Sequence, residues 1–413
     1  MLSIKLLKIE FKNGLKTEIM WSYNTGFLLI AGFLLISSVL ILVIDFLPQF
    51  NTWQSRIHIG RFTEATIWKQ KLYQKSSLWL KKTPTIKLTD NNRLIVIDMI
   101  NGNYKRNSIQ HWQEAALLLG LTEYFYKTGD ANAKLQIETF VNAKIDATGN
   151  WKSTPKEIDG VIFAYAILNI NWLEQDKYKP AYDAIWHLIQ ESIGVDGTVQ
   201  YRSHASDYRF VDTIGFICPF LIKYGSRFNY PQAINLGIQQ IKVFTTFGLF
   251  PNTFIPCHTY HVETKLPEGL FGWGRGLGWY AIGLIDAWSA LPVQTDQKEE
   301  LTKIVISFAK MALQFQSKNG SWNWIVSSTM SRPDSSATAT LAWFMANAAQ
   351  IEVIKQECQL SKDKALQYLM EVTRRDGAID YSQGDTKAIG VYSQHFDILP
   401  FTQGFALRTV NRV

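Results

Sequence analysis

The stretch Phe271–Trp288 reads FGWGRGLGWYAIGLIDAW. Four glycines, Gly272, Gly274, Gly276 and Gly278, give way to a helical pattern: Ala281, Leu284, Ile285, Trp288 and Leu291 fall on one face at three- and four-residue steps. Glycine permits close approach and unusual backbone angles. Trp273, Arg275 and Trp279 therefore sit where a loop runs into a helix. Indole faces stack on the C–H surface of a sugar, and a guanidinium fork grips an anionic oxygen, so the trio suits a glycan. A core helix with a snorkelling Arg275 would use the same residues. The surrounding chain decides between the two.

Outward from this stretch, a turn glycine soon followed by an aromatic recurs six times, at Gly102, Gly149, Gly197, Gly248, Gly320 and Gly377. Each opens the same grammar: polar or extended loop, helix, tight turn, second helix. The spacing predicts helix pairs over 109–127 and 131–145, 157–172 and 178–193, 209–225 and 230–246, 274–290 and 296–317, and 335–350 and 359–373. A last helix from about 400 pairs with a first over 56–82 and closes the ring. Six helical hairpins without a long strand pattern predict an all-α fold, an (α/α)6 barrel or six-hairpin toroid, each unit burying its face against its neighbours. Hairpin turns as short as Lys127–Asp130 make the partners antiparallel. All long loops then share one end, the end at which the inner helices present their N-termini.

Ahead of the repeats, Gly26–Ile44 is an uncharged apolar run of 19 residues, bounded by Asp45 and Pro48. That length just spans a bilayer core. It lacks a small-residue cleavage site and predicts an uncleaved transmembrane anchor, a single N-terminal helix. Lys5, Lys8, Lys12 and Lys16 precede it, and Arg56 and Arg61 follow. The positive-inside bias puts residues 1–25 in the cytoplasm as an N-terminal segment and the main domain, 45–413, in the periplasm or outside the cell.

Composition narrows the partners. Of 413 residues, 47% are apolar and 19% charged, which allows a large core and excludes global disorder. The net charge of +7 suits an anionic partner. No Lys/Arg block or nucleic-acid fold motif is present, so an acidic oligosaccharide or polysaccharide is expected and nucleic acid is not. Cys218, Cys257 and Cys358 are odd in number and lack metal-type spacing. Cys257-His258 with His261 wants further ligands. No metal and no cofactor are expected.

At the loop end the sequence gathers His111 and Trp112, Glu157 and Asp159, Arg202, His204, Arg209, Phe210 and Asp212, then His258 and Tyr260 with the opening trio. Asp334 to Ser336, Tyr392 and His395 come from the last two loops. Asp159 in EIDGVIFAYAIL and Asp212 in RFVDTIGFICPF each lead a strongly apolar helix at equivalent positions of neighbouring repeats. Chemistry at a glycosidic or enol-ether centre needs one carboxyl group to deliver a proton and a carboxylate to position water. Both aspartates equally suit helix N-caps. An apolar helix behind Asp212 raises its pKa and a nearby Arg209 lowers it, so the direction of its shift stays open.

Trp273-Gly274-Arg275-Gly276-Leu277-Gly278-Trp279 resembles the W-[GA]-R-[GA]-x-G-W signature of the unsaturated uronyl hydrolases, the six-hairpin glycosidases of the unsaturated rhamnogalacturonyl and glucuronyl hydrolase type. Further segments agree in order from Ser108 to Val413: HWQEAALLLGLTEYFYKTGD, the two aspartate segments, PCHTY, NGSW before DSSATATLAW, and TQGFAL. The resemblance implies metal-free hydrolysis. An Asp protonates the C4=C5 double bond of a 4,5-unsaturated uronyl residue and activates water for addition at C5. Carried over by position, Asp212 is that acid/base and Asp159 its carboxylate partner. Arg275, Trp279 and His258 hold the sugar, and Arg202 is a basic group of the loop before Asp212. The chain departs from the family in having Phe210 for a Trp, Gly160 for a second acid and Tyr260 for the final Trp of Y-H-A-W. Those departures leave the sugar undefined. The anchor points to the cell envelope, where polysaccharide assembly proteins are candidate partners and an exopolysaccharide the candidate substrate. A hydrolase or lyase of saturated acidic polysaccharides, and a non-catalytic glycan-binding protein on the same barrel, are the competing expectations.

Overall fold

The structure is a computed structural model that describes Lys16 and residues 24–84, 94–100, 110–386 and 388–412. It divides into two compact units, residues 1–57 with 91–106, and residues 58–90 with 107–413. The predicted turn at Gly102 and most of the predicted cytoplasmic segment lie outside the described residues.

In the first unit one helix runs Asn24–Arg56 and is long and apolar enough to cross a membrane, a property that signal sequences share. Phe27, Leu28, Leu29 and Ile30 follow one another around it, and all are at least 62% exposed. Apolar residues on every face suit lipid better than one side of a protein core. A π-helical segment, Leu42–Phe46, interrupts its regular winding. There the buried Asp45 accepts hydrogen bonds from the backbone N–H groups of Ile95 and Val96, which open the short helix Ile95–Ile100.

The second unit contains, among the described residues, twelve α-helices: α1 (Ala65–Lys81), α2 (His111–Thr128), α3 (Ala131–Lys144), α4 (Val161–Leu168), α5 (Lys179–Glu191), α6 (Val211–Phe228), α7 (Pro231–Phe247), α8 (Gly274–Ala290), α9 (Asp296–Gln314), α10 (Ser335–Ala348), α11 (Lys355–Glu371) and α12 (Pro400–Val410). The even-numbered helices contact one another in sequence, and α12 returns to α2, so they form a closed inner ring. The odd-numbered helices pack outside, with α1 against α12 and α2. This is the expected (α/α)6 barrel. The largest boundary difference is at the first helix, which begins at Ala65 rather than 56 because the chain turns through Ile57–Gly60, with Gly60 at φ 76°; α4 is also four residues shorter at each end than expected, and α11 begins four residues earlier.

Side-chain pattern explains which ring each helix joins. All eight residues of α4, VIFAYAIL, are buried, as a helix with neighbours on every side requires. In α9 only Leu301, Val305, Phe308, Ala309, Met311 and Ala312 are buried, a single stripe that faces inward. Ring closure needs backbones to touch: a Cβ on Gly120 of α2 would collide with the Gly404 carbonyl of α12, and one on Gly404 with Ala116. The hairpin turns carry their own signals. Gly129 ends α2 in the left-handed region, and the Asp130 side chain then caps α3 by accepting from Asn132 N–H at 2.8 Å.

The repeat glycines have a common physical reason. Gly149, Gly320 and Gly377 hold φ of 85°, 89° and 88°, and a Cβ on each would strike a carbonyl of the next outer layer, at Lys177, Lys364 and Lys71. Gly248 is a correction to the pattern. It closes α7 with φ −97°, and the first positive φ angles after it fall on Asn252 and Phe254.

Candidate active site

The loops before α2, α6, α8 and α12 converge on a cavity of about 540 Å³. Two of them are stitched together by a small antiparallel sheet of β1 (Tyr208–Phe210), β2 (Thr259–His261) and β3 (Pro267–Glu268). β1 runs straight into α6, and the Val211 N–H donates to the His258 carbonyl at 2.9 Å. The sheet thereby sets Asp212, second residue of α6, beside His258.

Alternation across this sheet sorts the side chains. Arg209 pairs with Tyr260, and Phe210 with Thr259. Directly opposed residues share a face. Phe210 lines the cavity. Arg209 turns away and is consumed by Asp196, by Thr198 Oγ1 at 2.6 Å and by the Ser206 carbonyl at 2.7 Å. Tyr260 goes with it, 1% exposed and packed on Phe244 and Phe247, so it does not line the cavity.

Asp212 is 9% exposed, and its Oδ2 is buried without a hydrogen-bond partner. His258 Nε2 stands 3.7 Å from that oxygen. Asp212 does not cap its helix; Phe210 occupies the N-cap position, with no side-chain cap bond. Burial pushes the carboxyl up to about 7, and the Asp385 carboxylate adds to the rise while Arg275 and Arg202 oppose it. With Arg209 directed elsewhere, burial decides the direction. His258 is driven down to about 4 by burial and by Arg275, so its ring is neutral at physiological pH. Its Nδ1 lies 3.0 Å from the Tyr392 hydroxyl, which accepts from the Leu270 N–H at 2.8 Å. That chain holds the imidazole in place.

The opening motif supplies the next wall. Trp279 is 2% exposed and wedged among Phe216, Phe401 and Trp112, with ring centroids at 4.5, 4.7 and 5.6 Å. Trp273 occupies the N-cap position of α8 without a side-chain cap bond, donates its indole N–H to Gln383 Oε1 at 2.8 Å and packs on His258 at 4.7 Å. Arg275 lines the cavity but already donates to the carbonyls of Gln383, at 2.6 Å, and Gly384, and stands 3.9 Å from Asp385. Its fork clamps the last loop against α8. Of the glycines, only Gly272, at φ 76°, uses left-handed backbone. Gly274 and Gly278 lie inside α8, where a Cβ would press on Asn323 and Thr340 of the neighbouring repeat.

Asp159 occupies a different place. It sits half-buried in the 3-10 turn Ile158–Gly160 before α4 and does not line the cavity. It pairs with Arg202, Nη2 to Oδ2 at 2.9 Å, and Arg202 also reaches Glu157 at 2.8 Å while stacking on Tyr201 at 4.1 Å. Arg202 and Tyr201 do line the cavity, so Asp159 acts on it at one remove. Trp112 lines it too; His111 does not, its ring instead stacking 6.1 Å from Phe163. Asp334 is the true cap of α10, accepting from Ser336 and Ala337 N–H groups. Sequence reasoning missed Gln110, Tyr201, Phe216, Asp385, Thr386, Ala388 and Ile389. Asp385 accepts from Gln110 Nε2 at 2.7 Å, and the only sequence signal for it was an acid in the loop before the last helix.

The sequence model described as Glycosyl Hydrolase Family 88 matches residues 85–407. Among curated proteins none matches the chain. Solved structures share its fold. One, described as a possible member of the GH105 family from Klebsiella pneumoniae, superposes with a TM-score of 0.71 at 17% identity, covering 85% of this chain and 93% of the other. An unsaturated glucuronyl hydrolase from Bacillus sp. GL1, responsible for the degradation of glycosaminoglycan, gives 0.62 at 15% identity, with 82% and 95% covered. A glycosyl hydrolase family 88 protein from Bacteroides vulgatus gives 0.58 at 17%, with 77% and 97% covered.

Proposed function

The chain belongs to glycosyl hydrolase family 88, and from that premise we propose that this glycoside hydrolase removes a 4,5-unsaturated uronyl residue from the end of an acidic oligosaccharide, with Asp212 as acid and base. The observation that carries the reading is the Asp212 carboxyl: buried, with Oδ2 unpartnered, and holding its proton up to about pH 7. A general acid works best when its pKa lies near the working pH.

In the first step Asp212 delivers its proton to C4 of the C4=C5 bond, and positive charge develops at C5, shared with the ring oxygen. The Asp212 carboxylate then takes a proton from water as the water oxygen bonds to C5. The resulting hemiketal opens: the bond from C5 to the ring oxygen breaks to leave a ketone. C1 then carries a hydroxyl beside the glycosidic oxygen and collapses to an aldehyde, which releases the neighbouring sugar. Neutral His258, with Nε2 3.7 Å from Asp212 Oδ2, stands beside the acid without adding charge. Trp112, Phe210, Trp273 and Trp279 supply the stacking walls, and Asp159 orients Arg202.

Residues 26–44 serve as an anchor, with residues 1–25 cytoplasmic and 45–413 in the periplasm or outside the cell; the lysines ahead of the apolar helix support that orientation. There the enzyme trims an acidic exopolysaccharide during its assembly or processing. Loss of the double bond's ultraviolet absorbance on incubation with lyase-generated unsaturated oligosaccharides tests the activity. Turnover is expected for the wild type, and Asp212→Asn is expected to bind without turning over. Release of sugar from saturated polysaccharide alone would overturn the reading. Protease treatment of spheroplasts, whose periplasmic face is open to the protease, tests the topology: digestion of the barrel is expected, and full protection would contradict it.

A further inference from the structure

A second cavity, of about 410 Å³, opens where the inner helices end rather than where they begin. Every inner helix contributes: Glu123 from α2, Tyr165 from α4, Lys223 from α6, Asp286 from α8, Trp343 from α10 and Arg408 from α12. None of these residues belongs to the Asp212 cavity.

Its charges do not cancel. Four cations, Lys223, Arg227, Arg408 and Arg412, face two carboxylates, Glu123 and Asp286. Asp286 is already spent: Oδ2 takes Arg408 Nη1 at 2.7 Å, and Oδ1 takes the Trp343 indole N–H at 2.7 Å. Arg227 is paired outward with Asp176 at 3.1 Å. The remaining donors hydrogen-bond to neutral groups, with the Glu123 carboxylate as the charge nearby. Lys223 reaches the side-chain carbonyl of Asn169, and Arg412 Nε that of Asn347 at 2.8 Å. Arg408, 3% exposed, keeps its Nε buried with no acceptor. An adjoining recess, which shares Lys223, Arg408 and Arg412, holds a further unpartnered group, the Thr122 hydroxyl, in a residue 2% exposed. Helix C-termini favour cations, which accounts for the sign of the lining. Those carbonyl ends do not reach Arg408 Nε, and a buried donor without an acceptor carries a cost that a ligand removes.

We propose that this bowl is a second binding site, separate from the Asp212 cavity, for a small oxyanion held by Lys223, Arg408 and Arg412. The ligand chemistry is a carboxylate, sulfate or phosphate group, which matches guanidinium and ammonium donors. Burial, with Arg408 nearby, brings Lys223 down to about 8, which still leaves it charged at neutral pH. Glu123, whose pKa burial raises, is the one carboxylate of the bowl left to compete with the ligand. The site stands whether or not the reading of the Asp212 cavity does.

Isothermal titration calorimetry on the full chain in detergent, with sodium sulfate, sodium phosphate and sodium glucuronate, tests the proposal. Sodium chloride at equal ionic strength serves as the blank, since screening alone produces heat without saturation. One-site saturable binding is expected for at least one of the three, with Kd below about 1 mM. Lys223→Gln and Arg412→Gln, each shown folded by circular dichroism, are expected to weaken it by about tenfold or more, and Asp212→Asn to leave it unchanged. Binding of sulfate and phosphate assigns a tetrahedral oxyanion; binding of glucuronate alone assigns a sugar carboxylate. No saturable binding of any of the three up to about 20 mM, undiminished affinity in both variants, or loss of binding in Asp212→Asn would each overturn it.

Discussion

Asp159 and Asp212 lead neighbouring inner helices of one repeated fold, yet their surroundings differ in every respect that matters to chemistry. Asp212 is inside α6, buried, with one oxygen unpartnered and its pKa lifted to about 7. Asp159 lies in the 3-10 turn ahead of α4, half-buried and held at 2.9 Å by Arg202. An unpaired buried carboxyl keeps its proton and can give it away; a carboxylate in an ion pair is a fixed strut. The repeat duplicates a position, and the local partners decide what that position does.

Replacing each acid separates them most strongly. Asp212→Asn is expected to lower kcat by about a thousandfold or more, the scale of a lost general acid and base, as followed by double-bond absorbance. Equal losses from Asp159→Asn would erase the distinction. Asp159→Ala should instead cost about ten- to a hundredfold in kcat/KM, the scale of a misplaced binding group. Arg202→Gln should reproduce that loss. In the double variant the two effects should fall short of their product, because both remove the same 2.9 Å contact. Full additivity would show that Asp159 acts on the substrate independently of Arg202.

Stability gives a smaller contrast with a definite sign. Native Asp212 holds its proton up to about 7, whereas the unfolded chain releases it near the ordinary value of 3.8. Between those pH values the native state binds more protons, so stability falls as pH rises, and the full cost is present above about 7. Asp212→Asn should therefore melt about 2–6 °C higher than wild type near pH 8 and close to it near pH 4. Asp159→Asn should show no such gain, since it removes half of an ion pair. Differential scanning calorimetry at both pH values checks this.

The ring of hairpins was legible in the chain because its signals are local. Apolar spacing marked α4, α6 and α8 to within a few residues, and Gly149, Gly320 and Gly377 marked turns that tolerate no Cβ. Gly248 misled because glycine also ends ordinary helices, and φ is not written in the sequence. Asp212, His258, Trp273 and Trp279 could be placed on the cavity because they lead inner helices or the strands beside them. Tyr260 could not be turned the right way, because two or three strand residues carry too little alternation to show a face. Asp385 and Gln110 come from irregular loop and meet only in the folded barrel. Arg275 read as a free fork, but two of its donors are closed by the carbonyls of Gln383 and Gly384, a contact across more than a hundred residues.

The central claim is that Asp212 must hold a proton for turnover to begin. The pH dependence of kcat/KM on an unsaturated oligosaccharide, from about pH 4 to about pH 9, tests it most directly, because that ratio reports the free enzyme's titrating groups. With Asp212 raised to about 7, the rate is predicted to fall about tenfold per pH unit above that value. A rate that holds or climbs through pH 8, or one that falls already near pH 4, would contradict it.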